Sequence, residues 1–178
     1  MKIENSYIDG LVICKPNIIH DERGFFCETF RKDLLEDHIN MELNFCQSNS
    51  SESIFGTIRG LHFQVEPFSQ SKLISVSNGE ILDVAVDLRK NSKTYGKYFS
   101  IILNSKNNFQ MFIPKGFAHG FSVLSNSARI SYQVDSYYDA KSERGLFPLD
   151  SSLNIDWKLK KKDMILSERD LSLPKFKK

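Results

Sequence analysis

Ser77–Leu88 reads SNGEILDVAVDL. Leu82, Val84, Val86 and Leu88 are apolar at every second position while Asp83 and Asp87 lie on the other side, which is the period-2 signature of a half-buried strand. The triplet Ser77–Gly79 predicts a tight turn that folds the preceding strand back as a hairpin. Working outward, GLVICKPNII, GFFCETF, GTIRGLHFQ, SKLISVSN, GKYFSIIL, NFQMFIP, HGFSVL and ARISYQVDSYY are short apolar or alternating runs between turn residues, and each reads as a strand. RKDLLEDHI, Arg31–Ile39, is the helix candidate. Many short strands without a repeated strand–helix alternation predict an all-β fold, an antiparallel sandwich or jelly-roll barrel with few short helices.

The chain's 178 residues fit one domain, 1–178, of a size that can bury a sizeable core. From about Lys158 the character changes. KLKKKD is a charge run that reads as a solvated edge, and DLSLPKFKK is polar and broken by proline. A net charge of +2 does not suggest a nucleic-acid partner, and no apolar run approaches the ~18–20 residues that would span a membrane. MKIENSYIDG lacks the basic-then-apolar order of a signal peptide, so a cytoplasmic protein is expected. Cys14, Cys27 and Cys46 are odd in number and widely spaced, matching neither a disulfide framework nor a CxxC metal site; they read as small buried hydrophobes.

RGLHFQ, Arg59–Gln64, places a histidine where a strand would more readily take Val or Ile. His62 must either pair both ring nitrogens or use them. His119, in PKGFAHGF, is similarly set in a strongly structured run. A barrel sends alternate strand residues into its lumen, so lumenal polar side chains are site candidates. Taken singly, each histidine is open to a purely structural reading. Together with Lys72, Tyr132 and Arg59 they form a set that can remove a carbon-bound proton, return one from another side and stabilise the oxyanion between those events. Strict alternation puts Arg59 and His62 on opposite faces of their strand. A bulge near Gly60, or an approach from a strand end, is needed if both touch one substrate.

DERGFFCETF, GTIRGLHFQ, SKLISVSNGEILDVAVDLRKNSKTYGK, IPKGFAHGF, SYQVDSYY, NIDW and LSERD, taken in order, make nearly the whole chain similar to the dTDP-4-dehydrorhamnose 3,5-epimerase family, whose fold is a cupin-type jelly roll. The resemblance implies a cofactor-independent isomerase acting on a nucleotide-linked 4-keto-6-deoxy sugar. It makes His62 the base that removes a proton at C3 or C5, Asp170 its carboxylate partner, Tyr132 the acid on the opposite ring face, and Lys72 the positive charge near O4. It further implies that Arg23 and Arg59 grip the diphosphate, that Phe26, Glu28, Gln47, Asn49 and Tyr138 surround the nucleotide, and that His119 binds substrate. The family's dimers exchange strands and bring the RGFF segment into the partner's site, so a homodimer serving surface-polysaccharide precursor synthesis is expected.

Departures from the family pattern bear on the expected substrate. A basic residue that often follows Lys72 is missing from KLISVSNG, and a common RQLWIPEG is FQMFIPKG here, with Phe109, Phe112 and Lys115 for arginine, tryptophan and glutamate. Gln133 stands where a lysine commonly follows the tyrosine. The alternatives are a GDP-linked 4-keto-heptose epimerase for capsule synthesis, a C3-only or C5-only enzyme, a metal-dependent cupin and a non-catalytic sugar-binding protein. For a metal cupin, His62-Phe63-Gln64 offers one histidine where an HxH pair is usual, and no metal is expected.

Overall fold

The structure is a computed structural model and describes residues 1–177. Its strands are β1 (Lys2–Asn5), β2 (Val12–Lys15), β3 (Ile18–Asp21), β4 (Gly24–Cys27), β5 (Gln47–Ile54), β6 (Ile58–Gln64), β7 (Lys72–Asn78), β8 (Glu80–Asp87), β9 (Tyr98–Asn104), β10 (Gln110–Ile113), β11 (Phe117–Val123), β12 (Ser127–Val134) and β13 (Glu143–Gly145). Helix α1 spans Lys32–Ile39 and α2 spans Glu168–Leu171. A six-stranded sheet, β1-β2-β10-β7-β12-β5, faces a five-stranded sheet, β13-β6-β11-β8-β9, and every paired strand runs antiparallel. This is the jelly-roll sandwich that the strand spacing predicts, closed by two layers rather than by one continuous barrel wall.

Between the sheets lies a core of Ile13, Ile74, Val76, Ile81, Leu103, Met111, Ile113, Phe121 and Ile130. The outer face of the five-stranded sheet carries Ile58, Leu61, Leu82, Val84, Val86 and Ala118, which pack against Leu153, Trp157 and Phe176. Helix α1 lays Leu35 over Val12, Cys14, Leu73 and Phe112 on the outer face of the six-stranded sheet. Its last turn ends at Asn40, which adopts the left-handed conformation with φ 52°.

The reading of β8 needs two corrections. The strand is buried on both faces rather than one: its even residues face the C-terminal segment, and Asp83 and Asp87, both fully buried, face inward with Ile81 and Ala85. Burial is tolerable because each carboxylate is partnered. Asp83 meets His119, while Asp87 accepts from Arg89, Ser92 and Thr94. The second correction concerns Ser77–Gly79. Gly79, at φ 77°, turns the chain from one sheet into the other, so β7 and β8 do not pair as a hairpin.

Two segments fall outside the sequence reading. Strand β5, QSNSSESI, has almost no apolar residue but runs in register with β12 from Gln47↔Val134 to Ile54↔Ser127. Tertiary pairing overrides its poor propensity. The tail beyond Lys158 is only partly a solvated edge. Lys160, Lys161 and Lys162 are exposed, whereas Ile165 bridges to Thr57, Asp170 is buried and Phe176 sits in the outer cluster. Of the cysteines only Cys14 is buried. Cys27 closes the exposed β3–β4 hairpin and Cys46 is exposed where the chain enters β5.

Beside Gly60 the strand breaks alternation. His119 pairs with His62 and Phe121 with Arg59, so Gly60 and Leu61 together oppose the single residue Gly120, which is a β-bulge. The bulge turns Arg59 and His62 to the same side. A Cβ on Gly60 would stand 2.6 Å from the Gly120 Cα, and Gly60 has φ 127°, a conformation that side chains rarely adopt. Gly60→Ala is therefore expected to cost at least about 2 kcal/mol of stability, read as a lowered midpoint in urea. An unchanged midpoint would show that the two strands can separate here without loss.

Candidate active site

Between the open ends of the sheets is a cavity of about 700 Å³. Its two walls come from different sheets. Asn49 on β5, Lys72 on β7 and Tyr132 on β12 line one, and Arg59 and His62 on β6 with His119 on β11 line the other. Register explains the first wall: Tyr132 stands between Asn49 and Ile74, and Val134 stands beside Lys72. The Lys72 ammonium lies 6.0 Å from the centre of the Tyr132 ring.

Each histidine is held by an aspartate from elsewhere in the chain. His62 Nε2 is 2.7 Å from Asp170 Oδ1, and the other Asp170 oxygen accepts from the Gly60 backbone N–H at 3.4 Å. Asp170 belongs to α2, whose first turn is capped by the Ser167 hydroxyl accepting from the Asp170 N–H. His119 Nε2 is 2.7 Å from Asp83 Oδ1. Burial pushes the Asp83 carboxyl up, against the pull of His119 and Lys72.

Burial also sets the other two groups. Desolvation lowers the Lys72 ammonium to about 8, although the charges of Glu143 and Asp83 work to raise it. The Tyr132 phenol is pushed up by burial, with Arg59 opposing, so it stays protonated at neutral pH. One wall thus offers a phenol and an ammonium, and the other an imidazole backed by a carboxylate.

Gln47 and Tyr138 complete the set of expected residues at this cavity. The Gln47 side-chain oxygen accepts from the Tyr138 N–H at 3.0 Å, and its amide donates to Asn49 at 2.8 Å. Three expected residues lie elsewhere. Arg23, Phe26 and Glu28 belong to or follow the β3–β4 hairpin, a two-stranded sheet that pairs with neither main sheet. Among the described residues Arg23 pairs with Asp21 alone, Phe26 is 70% exposed and Glu28 is 3.8 Å from Arg31. Sequence reasoning missed Glu143, Arg169 and Asp83. Asp83 carried a signal, an acid recurring on a strand among aliphatics, but it pointed toward solvent; Glu143 and Arg169 carried none.

A family model described as dTDP-4-dehydrorhamnose 3,5-epimerase matches residues 5–178. The chain belongs to that family. It is 41% identical to the dTDP-4-dehydrorhamnose 3,5-epimerase of Shigella flexneri over 99% of this chain and 96% of the relative, and 44% identical to that of Methanothermobacter thermautotrophicus over 92% and 88%. The crystal structure of the Elizabethkingia anophelis dTDP-4-dehydrorhamnose 3,5-epimerase superposes with a TM-score of 0.95 at 43% identity, covering 99% of this chain and 96% of that one. The chain is thus an isomerase of the carbohydrate epimerase class. Within this epimerase frame, the departures Phe109, Phe112, Lys115 and Gln133 all lie outside the cavity walls. Phe112 packs under α1, Lys115 pairs with Asp135 at 3.6 Å, and Gln133 faces the other way from Tyr132 along β12. The packing beneath His119 therefore does not depend on the missing tryptophan.

A charged lysine enclosed by cavity walls opposes folding, and replacing such a group by an apolar side chain of similar length is expected to stabilise by about 1–3 kcal/mol. At pH 7 Lys72→Met should melt a few degrees above the parent while losing activity. The folded value near 8 lies below the ordinary 10.5, so the unfolded chain holds more protons between those limits and the parent's relative stability rises with pH across them. The gap between the two melting curves should narrow from pH 8 upward. A gap independent of pH would mean that the ammonium is fully solvated.

Proposed function

We propose that the chain inverts C3 and C5 of dTDP-4-dehydro-6-deoxy-glucose by deprotonation to an enolate and reprotonation from the other face, without a cofactor. The observation that carries this reading is the placement of His62 and Tyr132 on opposite walls of one cavity, with Lys72 beside the tyrosine. A relative from Legionella pneumophila, 41% identical, was crystallised in complex with dTDP-4-keto-L-rhamnose.

Asp170 accepts from His62 Nε2, which leaves Nδ1 as the free base and stabilises the imidazolium once the proton has moved. The carbon acid is weak except next to the C4 carbonyl. Charge then gathers on O4, where a preorganised ammonium in a water-poor cavity is worth far more than in solution, and Lys72 supplies it. Tyr132, kept protonated by burial, delivers a proton to the opposite ring face. Arg59, whose Nε donates to Ser53 at 3.0 Å, and His119 hold the remainder of the substrate, and a guanidinium suits a diphosphate. Gln47, Asn49 and Tyr138 lie at the end assigned to the nucleotide.

Arg23, Phe26 and Glu28 complete the site in a second copy. Their hairpin leaves Ile19, Phe25 and Phe26 exposed by more than half, which favours a homodimer in which this ribbon reaches the partner's cavity. The product would feed surface-polysaccharide synthesis in the cytoplasm.

Incubation in D₂O with dTDP- and GDP-linked 4-keto sugars tests the reading by deuterium uptake at C3 and C5. Uptake at both carbons of the dTDP hexose is expected; uptake at one carbon, or only with a GDP heptose, would replace the assigned reaction. His62→Ala should cost about 10²–10⁴-fold in rate, roughly 3–5 kcal/mol. Tyr132→Phe should fail differently, admitting label while impairing inversion. Full activity in either folded variant would remove the acid–base assignment. Light scattering is expected to give twice the 20.5 kDa chain mass.

A further inference from the structure

The segment that supplies Asp170 is tied to the sandwich by backbone bonds at two places. Before α2, Ile58 N–H donates to the Ile165 carbonyl at 2.8 Å and Ile165 N–H to Gly56 at 2.9 Å; after it, Phe147 N–H donates to the Pro174 carbonyl at 2.8 Å. Between these anchors the chain arches over the cavity edge. A four-residue helix has no stability of its own. Its position rests on side chains, and beside the packing of Leu173 on Gly145 two carboxylate contacts help to fix it: Asp170 on His62, and Glu143 on Arg169, 2.6 Å away.

Glu143 is well placed to do more than fix a surface helix. Strand β13 pairs with β6 in the register Glu143↔Gln64 and Gly145↔His62, so Glu143 sits two residues from the strand position opposite the catalytic histidine. The same oxygen, Oε2, accepts from the Tyr138 hydroxyl at 2.7 Å and from Arg169. Its side chain is 16% exposed while that of Arg169 is 57% exposed, which makes the carboxylate the fixed partner and the guanidinium the one that docks. The charged and titratable groups facing Glu143 are Tyr138 from the loop after β12, Arg169 from α2, His62 from β6 and, at longer range, Lys72 from β7 and Tyr132 from β12.

We propose that Glu143 is a positioning residue for the epimerisation: by holding Arg169 it sets the place of the adjacent Asp170 against His62, and by holding Tyr138 on the same oxygen it joins that placement to the nucleotide end of the cavity. This rests on the epimerase reading above. A base whose carboxylate partner is displaced by about 1 Å loses up to roughly 10²-fold in rate. The loss falls on turnover, because the ground-state contacts of His62 with substrate are otherwise unchanged.

The test uses Glu143→Gln, Arg169→Gln and Arg169→Lys in the full chain, measured by deuterium uptake and by steady-state kinetics across pH 6–10. Glu143→Gln keeps the shape and a partner for Tyr138 but removes the charge. Arg169→Gln is expected to lower kcat about ten- to a hundredfold with KM within about twofold, and Arg169→Lys to restore most of it. Glu143→Gln is expected to lower kcat similarly and also to move the alkaline limb of the pH profile downward, because the Glu143 charge supports the Lys72 ammonium, itself near 8. Melting curves establish that each variant is folded. Folded Gln variants with parental kcat and an unmoved limb would overturn the proposal, as would a Lys variant no better than the Gln one. Absence of exchange in the parent would instead sink the epimerase reading, so the two failures are distinguishable.

Discussion

The contact between His62 and Asp170, 2.7 Å across 108 residues of chain, is the constraint on which the site depends. It is short-range chemistry held by long-range structure. The five-stranded sheet alone presents a histidine with one ring nitrogen unsupported; the C-terminal segment supplies the carboxylate. That segment is itself held by the aliphatic face of the five-stranded sheet, where Trp157 and Phe176 pack on Leu82, Val84 and Val86. Burial of ordinary hydrophobic surface on the outside of the sheet therefore determines the electrostatics on its inside.

The interior balances two demands. A sandwich core of aliphatic residues stabilises the fold, yet the same interior admits Asp83, His119 and Lys72 at one end. Among the described residues one Asp83 oxygen has no hydrogen-bond partner, and burial holds the Lys72 ammonium well below its ordinary value. Charge kept in such surroundings weakens the fold and strengthens every interaction with a developing oxyanion. On the proposed mechanism, stability is given up where an enolate oxygen needs a preorganised field.

The bulge at Gly60 shows how local irregularity serves this arrangement. A regular strand would send either Arg59 or His62 out of the cavity. Two glycines meeting across β6 and β11 allow one extra residue to be taken up, so both side chains reach the same cavity. The sequence posed this as a requirement, and the paired register meets it.

Much of the fold was legible in residue order. Alternation in β8, the turn glycines and the pattern of Lys32–Ile39 identified strands and helix, and RGLHFQ and PKGFAH drew attention to the two site histidines. Polar β5 was not legible, because its place comes from pairing with β12 rather than from any preference of its own. Nor was the burial of Asp83, since alternation tells which residues share a face but not what covers it. The sequence by itself determined the kinds of element, the candidate acid and base, and the family pattern. Only the tertiary structure decided that β7 and β8 lie in different sheets, that Asp170 reaches His62 and that Glu143 joins Tyr138 to Arg169. Local periodicity is set by neighbours one to four residues apart, whereas these contacts depend on how covered faces and chain ends meet.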